Sequence, residues 1–398
     1  MPTYEKLNGL VSVFSNSPDV PSGYGQQMSH LIPRLVRHGL DTAILSNYGN
    51  EAQVTEYKTP YGKAKHYPKS FVPHSVDTIG MRHAQHRQGK EDLPHAIMTL
   101  YDVWVLNKVQ LDAPVLSWVP IDHVTMPAPV RQFLERDNVY PIAMAPHGKR
   151  LFDERGIESS YIPHAIDTSI YKPSSATATK KLRAKLGVGE DTFLATMVAA
   201  NKGNGYYHRK AMVENIMAFA MFHKEHPNSK LYLHTDPRPH IGGVDLAKVF
   251  ESLGLTTDSV LVADGDELMV GVPQKTLADI YSASDVLLAA SYGEGFGVPV
   301  VEAQACGTPV ITSNWAATQD LAGPSSYLVE GQLWWNQTQS AFFKIPFVGH
   351  IYSALKSHYE NHTPNTTDST SVEFASQFGV EAVWQNYWMP FLRERFPG

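Results

Sequence analysis

The sequence of 398 residues has little of several features that would widen the choice of protein class. Its single cysteine, Cys306, excludes an internal disulfide and agrees with a reducing compartment. No apolar run reaches the ~20 residues that cross a bilayer. The N-terminus also lacks a basic stretch followed by a hydrophobic signal core. We therefore expect a cytoplasmic protein.

The sequence also lacks an excess of positive charge, because 33 lysine and arginine residues face 39 aspartate and glutamate residues and the formal net charge is −6. This balance argues against nucleic acid as a partner, since such partners need a basic face. Residues 58–95 are locally rich in lysine, arginine and histidine. A solvated loop explains this better than a docking site for an anionic acceptor or for a peripheral membrane contact, which stays the alternative. The closest histidine pairs, such as His83 and His86, have no second cluster of ligand spacing, so no metal site is expected.

The length exceeds what one hydrophobic core usually serves and predicts about two domains. The residues after 284 show how the second of them is built. Asp285–Ala290 is a buried strand, a glycine-rich loop follows, and Pro299 favours a helix start. Gly307 ends that helix, and 308–312 is the next strand. The order strand, glycine loop, helix, strand predicts an α/β fold.

The start of the helix near Pro299 is predicted to bind an anion. Unpaired N–H groups and the helix dipole place the amides of Val300 and Val301 well for a phosphate. Glu294 and Glu302 flank this position. Because carboxylates repel phosphate, their expected partners are hydroxyls on either side of a diphosphate.

A second strand and helix supply two cations. Residues 192–199 form a strand, and the loop 201–210 leads into a helix from about 211 to 223. Arg209 and Lys210 therefore lie at a helix start, where the dipole disfavours cations unless an anion is bound. The pair suits a diphosphate.

The first half of the sequence has a similar pattern. A strand at 10–15 runs into a loop with Gly23 and Gly25, followed by a helix and a strand at 42–46. A later strand, 115–119, ends before Asp122 and His123. In an open α/β sheet this end of the strands borders the ligand site.

Asp264 and Asp266 form an Asp-x-Asp pair, which can hold a divalent metal on a diphosphate. Two acids around a glycine are also common in loops. Because Arg209, Lys210 and the helix start already supply positive charge, no metal is expected.

The stretch from Glu294 to Glu302, E-G-F-G-V-P-V-V-E, continues as A-Q-A-C-G-T-P-V. It resembles the Glu-x7-Glu signature of the retaining nucleotide-sugar glycosyltransferases of family 4. Arg209-Lys210 matches the adjacent cations of that family. Residues 161–167 resemble another of its segments, with alanine at 165 in place of the usual glycine.

The resemblance implies two Rossmann-like doubly wound α/β domains facing a cleft, the GT-B type. It implies an acceptor-binding domain at 1–172 and a nucleotide-sugar-binding domain at 173–375. A C-terminal helix at 376–398 would cross back onto the first domain. The implied activity is transfer of a hexosyl group to a hydroxyl acceptor with retention of configuration, without a metal or other cofactor.

The resemblance also implies roles for individual residues. Glu294 would orient the hydroxyls of the sugar, Glu302 would accept from the ribose, and Asp122 or His123 would position the acceptor. The departing phosphate would take the proton of the acceptor. The catalytic set is Glu294, Arg209, Lys210, His123 and Asp122, and the donor-binding set is Gly23, Gly25, Gly295, Phe296, Gly297, Val298, Pro299, Val300, Val301 and Glu302.

The donor would be a UDP- or GDP-linked sugar, because no residue separates uracil from guanine. The acceptor would be a sugar, a small molecule or a lipid-linked compound. A nucleotide-sugar epimerase, a phosphorylase and a catalytically silent nucleotide-sugar-binding protein are the alternatives. A phosphorylase would need a lysine that carries a cofactor, and no lysine is singled out for that role. The sequence leaves the oligomeric state open.

Overall fold

The computed structural model of the protein describes residues 4–203, 207–239, 242–361, 363 and 366–398. The loop predicted at 201–210 thus lies partly outside the described residues. The chain forms two compact units. The first consists of Met1–Ile121, Thr125–Ala165 and Val380–Gly398, and the second of Asp122–Val124 and Ile166–Gly379. Compared with the expected bounds, residues 122–124, 166–172 and 376–379 lie in the second unit.

The first unit is built on an eight-stranded sheet in the order β3-β4-β2-β1-β5-β6-β7-β8. All neighbours pair in parallel except β3 with β4. Its strands are β1 Leu10–Ser15, β2 Asp41–Ser46, β3 Thr55–Thr59, β4 Gly62–Tyr67, β5 His95–Leu100, β6 Val115–Val119, β7 Val139–Ala143 and β8 Ser160–Tyr161. Its helices before residue 166 are α1 Gly23–Arg37, a 3₁₀ helix Pro73–Thr78, α2 Ile79–Arg87, α3 Val103–Leu106, α4 Ala128–Leu134 and α5 Pro146–Asp153.

The second unit contains a six-stranded parallel sheet in the order β11-β10-β9-β12-β13-β14. Its strands are β9 Phe193–Val198, β10 Ser229–His234, β11 Val260–Val262, β12 Val286–Ala289, β13 Val310–Ser313 and β14 Tyr327–Val329, with a separate antiparallel hairpin of β15 Gly331–Asn336 and β16 Ala341–Pro346. Its helices are α6 Ala176–Lys185, α7 Met212–Glu225, α8 Leu246–Leu253, α9 Gly265–Val270, α10 Gln274–Ala283, α11 Val298–Ala305, α12 Ala316–Leu321, α13 Val348–Asn361 and α14 Ser369–Ser376.

The strands that the sequence predicts from apolar stretches are the central strands of these sheets. Every residue of β1 is buried, and so are the first five residues of β9. Such runs are typical of parallel strands that are covered by helices on both faces. The order of the second sheet corresponds to the 3-2-1-4-5-6 order of doubly wound nucleotide-binding folds. The predicted fold class is confirmed.

The last segment packs on the first unit, as expected. It contains α15 Val380–Val383, a π-helical turn Trp384–Trp388 and α16 Met389–Arg395. The indole N–H of Trp384 donates to His38 Nε2 at 3.2 Å, and Glu381 pairs with Arg34 at 2.6 Å. The predicted single helix is interrupted by the wide turn just before Pro390, whose missing N–H cannot continue the α-helical ladder.

No helix in the described ranges is both long enough and apolar enough to cross a membrane.

Candidate active site

The order of strands reverses between β9 and β12 of the second sheet. Ligands of open α/β folds bind outside the carboxyl ends of the strands at such a point. The loop after β9 carries Arg209 and Lys210, and the loop after β12 carries Glu294. The topology therefore brings together the two cations and the acid that the sequence singled out.

The three side chains form one ion cluster. The carboxylate of Glu294 lies 2.7 Å from Lys210 Nζ and 2.8 Å from Arg209 Nη1. Only 12% of the Glu294 side chain is exposed. Burial raises the pKa of Glu294, but the charges of Arg209 and Lys210 lower it by more, so that its pKa falls to about 2. Burial also lowers the pKa of Lys210, and Glu294 opposes that change.

One predicted acceptor residue, Asp122, joins this cluster from a distant part of the sequence. Asp122 Oδ2 lies 3.8 Å from Arg209 Nη1. The ring of His123 lies 6.0 Å from that of Phe343. Val124 and Phe342 exchange two backbone hydrogen bonds of 3.0 Å, so β16 holds this segment. Asp122 and His123 were expected within the first domain, and the backbone pairing explains why they lie in the second unit.

The helix expected at Pro299 is α11, and it begins one residue earlier at Val298. Gly297 caps it with a left-handed φ of 99°, a conformation that favours glycine. The N–H of Val300 donates to the carbonyl of Gly297 at 2.9 Å, so it is already used within the protein. Its expected role as a phosphate donor stays a prediction.

Three residues of the predicted donor-binding set lie just before Val300 and Val301. Among the described residues, nothing accepts a hydrogen bond from the backbone N–H groups of Gly295, Gly297 and Val298. Val301 is buried in the first turn of α11. The amides that could meet a phosphate are therefore those of the glycine loop and of the first helical residue.

Glu302 occupies a different environment from Glu294. It is 3% exposed and accepts a hydrogen bond of 3.1 Å from the hydroxyl of Tyr281. Burial and the neighbouring Glu302 raise the pKa of the Cys306 thiol to about 12. The predicted contact of Glu302 with a ribose stays a prediction.

Phe296 is 3% exposed, and its ring centroid lies 5.8 Å from that of Phe378. The side chain therefore anchors the glycine loop in the core, and the backbone is the part suited to a ligand. Pro299, the second residue of α11, is partly exposed.

Gly23 and Gly25 belong to the first unit. Gly23 is the first residue of α1, and the N–H of Gly25 donates to the capping hydroxyl of Ser22 at 3.1 Å. A Cβ on Gly25 would lie 2.2 Å from the carbonyl oxygen of Val20. Close packing thus explains Gly25 here, and a contact of either glycine with the donor stays a prediction.

Three left-handed residues begin the helices around Glu294. Besides Gly297, these are Ala211 before α7, with φ of 47°, and Ala316 at the start of α12, with φ of 51°. The N–H of Ala317 donates to the carbonyl of Glu294 at 3.3 Å. Non-glycine residues in this region store ~1–3 kcal/mol of strain, which is common at functional sites. Sequence patterns gave no signal for either alanine.

The Asp-x-Asp pair is used within the protein. Asp264 caps α9 by accepting from the N–H groups of Asp266 and Glu267, and Asp266 lies 3.3 Å from Arg238. Within the described ranges, no group of three histidine, cysteine or acidic side chains has a geometry that could hold a metal ion.

Solved structures share the architecture of the whole chain. Sucrose-phosphate synthase from Thermosynechococcus elongatus matches with a TM-score of 0.70 and 19% identity, over 97% of this chain and 98% of that one. HepE from Anabaena, solved in complex with UDP-glucose, matches with a TM-score of 0.69 and 15% identity, over 96% of this chain and 99% of that one. The fold is that of the GT-B glycosyltransferases.

The sequence comparisons give a family match within the second unit and several related proteins. Residues 181–332, which lie within the second unit, match the family described as "Glycosyl transferases group 1". A D-inositol 3-phosphate glycosyltransferase of Geodermatophilus obscurus is 28% identical over 195 residues, which are 47% of this chain and 41% of that protein. One of Corynebacterium kroppenstedtii is 30% identical over 170 residues, 42% of this chain and 35% of that protein. The match thus spans about two fifths of the length of these relatives.

Proposed function

We propose that the protein is a retaining glycosyltransferase of family 4, with the Glu-x7-Glu pair Glu294 and Glu302. It would transfer a hexosyl group from a nucleotide-diphosphate sugar to a hydroxyl acceptor without a metal. The single observation that carries the proposal is the ion cluster at the switch point of the second sheet. Arg209 and Lys210 meet Glu294 there, directly before the start of α11.

The charges of this cluster suit a diphosphate. The Glu294 carboxylate balances part of the positive charge of Arg209 and Lys210. A donor diphosphate carries about two negative charges and would take over both cations, with the amides of the glycine loop beside them. Glu294 would then accept hydrogen bonds from the hydroxyls of the sugar.

The same groups would favour the transition state. The bond between the anomeric carbon and the diphosphate oxygen breaks with its electron pair going to that oxygen, and the acceptor oxygen bonds to the same face of the sugar. The acceptor proton passes to the departing phosphate. Negative charge therefore grows beside Arg209 and Lys210, which stabilise it more than in the ground state. Asp122, beside Arg209, or His123 would hold the acceptor hydroxyl.

The comparisons guide the choice of substrates. Because HepE was crystallised with UDP-glucose, this donor is tested first, with GDP- and ADP-sugars beside it. The related D-inositol 3-phosphate glycosyltransferases make polyols and their phosphates the first acceptors. Simple sugars and lipid-linked hydroxyls, with vesicles for a peripheral membrane contact, follow.

The test measures slow release of nucleotide from each donor, then transfer to the acceptor panel with and without EDTA. NMR of the product determines whether the anomeric configuration is retained. We expect Glu294→Ala and Lys210→Ala each to lower turnover at least tenfold. Removal of one hydrogen-bond donor to the developing negative charge, as in Lys210→Ala, commonly costs ~2.7–4 kcal/mol of barrier.

Exposed residues of the same types provide the matched controls. Glu251→Ala on α8 and Lys224→Ala on α7 should turn over like the wild type, since both positions are exposed. If the wild type binds nucleotide-sugars but releases no nucleotide, the protein is a binder and the proposal is wrong. If the site variants turn over at the wild-type rate, the proposed site is wrong.

A further inference from the structure

Tyr292 lies between β12 and the glycine loop, directly before Gly293 and Glu294. It is 7% exposed. The chemistry proposed above assigns it no role. Its contacts nevertheless reach the loop that carries Arg209 and Lys210, the start of α7 and the hairpin that holds residues 122–124.

The backbone of Tyr292 is hydrogen-bonded on two sides. Its N–H donates to the carbonyl of Arg209 at 2.8 Å, and its carbonyl accepts from the N–H of Lys344 in β16 at 3.0 Å. The residue therefore joins the loop that carries the cations to the hairpin that holds residues 122–124.

The side chain adds a third connection. The hydroxyl of Tyr292 donates to Glu214 Oε1 at 2.6 Å. Glu214 lies in the first turn of α7, and this helix begins directly after Arg209, Lys210 and Ala211. Burial and the nearby Glu214 raise the pKa of Tyr292 well above its ordinary value, so the phenol stays protonated and donates.

Neighbouring contacts prevent the ring and the helix from shifting separately. The ring of Tyr292 stacks on Tyr207 with centroids 6.2 Å apart and an interplanar angle of 20°. The amide of Asn215 donates to the carbonyls of Ala211 at 2.7 Å and Ala290 at 2.9 Å. The start of α7 is thus held to the loop after β12 by side chains as well as by backbone.

We infer that Tyr292 and Glu214 form a positioning pair, which fixes the Arg209-Lys210 turn at the distance from Glu294 that transfer requires. The inference rests on the function proposed above. Neither residue touches the reacting atoms. Because a displacement of ~1 Å in a catalytic group can cost ~100-fold in rate, loosening this turn should lower turnover more than donor affinity.

The structure offers a matched control on the same helix. The hydroxyl of Tyr352 donates to Glu225 Oε1 at 2.7 Å at the other end of α7. Tyr352→Phe removes the same kind of hydrogen bond far along the helix from the cations. Glu214→Gln is the conservative variant, because its amide oxygen can still accept from Tyr292.

The experiment measures kcat and KM for UDP-glucose, the dissociation constant of UDP and the melting temperature. We expect Tyr292→Phe and Glu214→Leu to lower kcat at least tenfold, while UDP affinity changes less than threefold. The double variant should be no worse than either single one. Glu214→Gln should keep kcat within threefold of the wild type, and Tyr352→Phe should match it.

Three results would overturn the inference. The first is a wild-type kcat in Tyr292→Phe and Glu214→Leu. The second is a loss that the Tyr352→Phe control shares. The third is a fold-loss of UDP affinity as large as the fold-loss of kcat, together with a lower melting temperature. That result would mark a merely structural pair. If Tyr292→Phe does not fold, Glu214→Leu against Glu214→Gln decides. A wild type that cleaves no donor refutes the proposed function and this inference with it.

Discussion

Replacing Glu294 by glutamine tests whether Arg209 and Lys210 bind the diphosphate of the donor. The carboxyl has a pKa of about 2 instead of the ordinary 4.5, which corresponds to ~3 kcal/mol of net stabilisation of its charged form. This contribution is present above pH 4.5 and is lost as the pH falls toward 2. At neutral pH the amide of Glu294→Gln cannot replace it.

The loss should be visible in thermal unfolding. For a unit of this size, ~3 kcal/mol corresponds to a decrease of ~6–12 °C in the melting temperature. UDP should restore more of the stability of Glu294→Gln than it adds to the wild type. Its diphosphate must displace the Glu294 carboxylate from Arg209 and Lys210 in the wild type, whereas in the variant no carboxylate at position 294 competes for the two cations.

The assay is thermal unfolding over a UDP titration, with calorimetry for the affinity. We expect Glu294→Gln to bind UDP about tenfold more tightly than the wild type, which is ~1.4 kcal/mol. UDP-glucose should gain less, because the variant loses the proposed sugar contact. Glu330→Gln, which alters the ion pair between the exposed Glu330 side chain and Lys344, should respond to UDP like the wild type. Equal or weaker UDP binding by Glu294→Gln would show that the cations do not bind the diphosphate.

Three further changes have defined outcomes. Burial lowers the pKa of His83 to about 4, below the value near 6.5 of an unfolded chain, so the unfolded state binds more protons between these values. Urea unfolding should therefore give ~2 kcal/mol less stability from this histidine at pH 5 than at pH 7, and an equal free energy at both values would contradict this. Gly293→Ala would place a Cβ 2.0 Å from a backbone oxygen and should abolish transfer and lower the melting temperature, whereas Gly349→Ala, which meets no atom within 4 Å, should do neither. Tyr281→Phe should cost ~1–3 kcal/mol in chemical unfolding, because buried Glu302 loses a donor, and an unchanged midpoint would refute that account.

The central strands and α11 could be predicted because their signals are local. The strand β12 is a continuous apolar run, β9 is apolar except for Thr196, and Gly307 ends α11 in a left-handed conformation. The start of α11 was misplaced by one residue because Gly297 caps the helix and allows Pro299 to be its second residue.

The hairpins were missed because their faces do not alternate in polarity. In β15 and β16 the outward residues Leu333, Trp335 and Phe342 are apolar and 37–50% exposed, so they resemble the inward ones. In β3 every residue is at least partly exposed, and no apolar face marks the strand. Periodicity alone finds neither pattern.

The region 58–95 differs from the solvated loop that its charge favoured. It contains β4 and α2, and His83 and His86 are both buried. Their Nδ1 atoms lie 2.9 and 3.2 Å from the hydroxyl of Ser12 in β1. The partner of these histidines lies far away in the sequence, so spacing within the segment could not reveal a structural role.

The site could be predicted only in part for the same reason. The sequence singled out Glu294, Arg209 and Lys210, which lie together, because helix starts and glycine loops leave a local signal. Their roles stay predictions. Two other features of the site are tertiary contacts. Glu302 accepts a hydrogen bond from Tyr281, and Val124 pairs with Phe342. No local sequence pattern predicts these contacts.

The pairing of Val124 with β16 has a practical consequence for engineering. Since residues 122–124 belong to the second unit while the residues on both sides belong to the first, no single cut separates the halves. A hybrid protein that takes the second unit of this chain as residues 166–379 alone would lack Asp122. It would also expose the edge of β16 that pairs with Val124. Domain-exchange libraries should therefore graft the three-residue insert together with the hairpin.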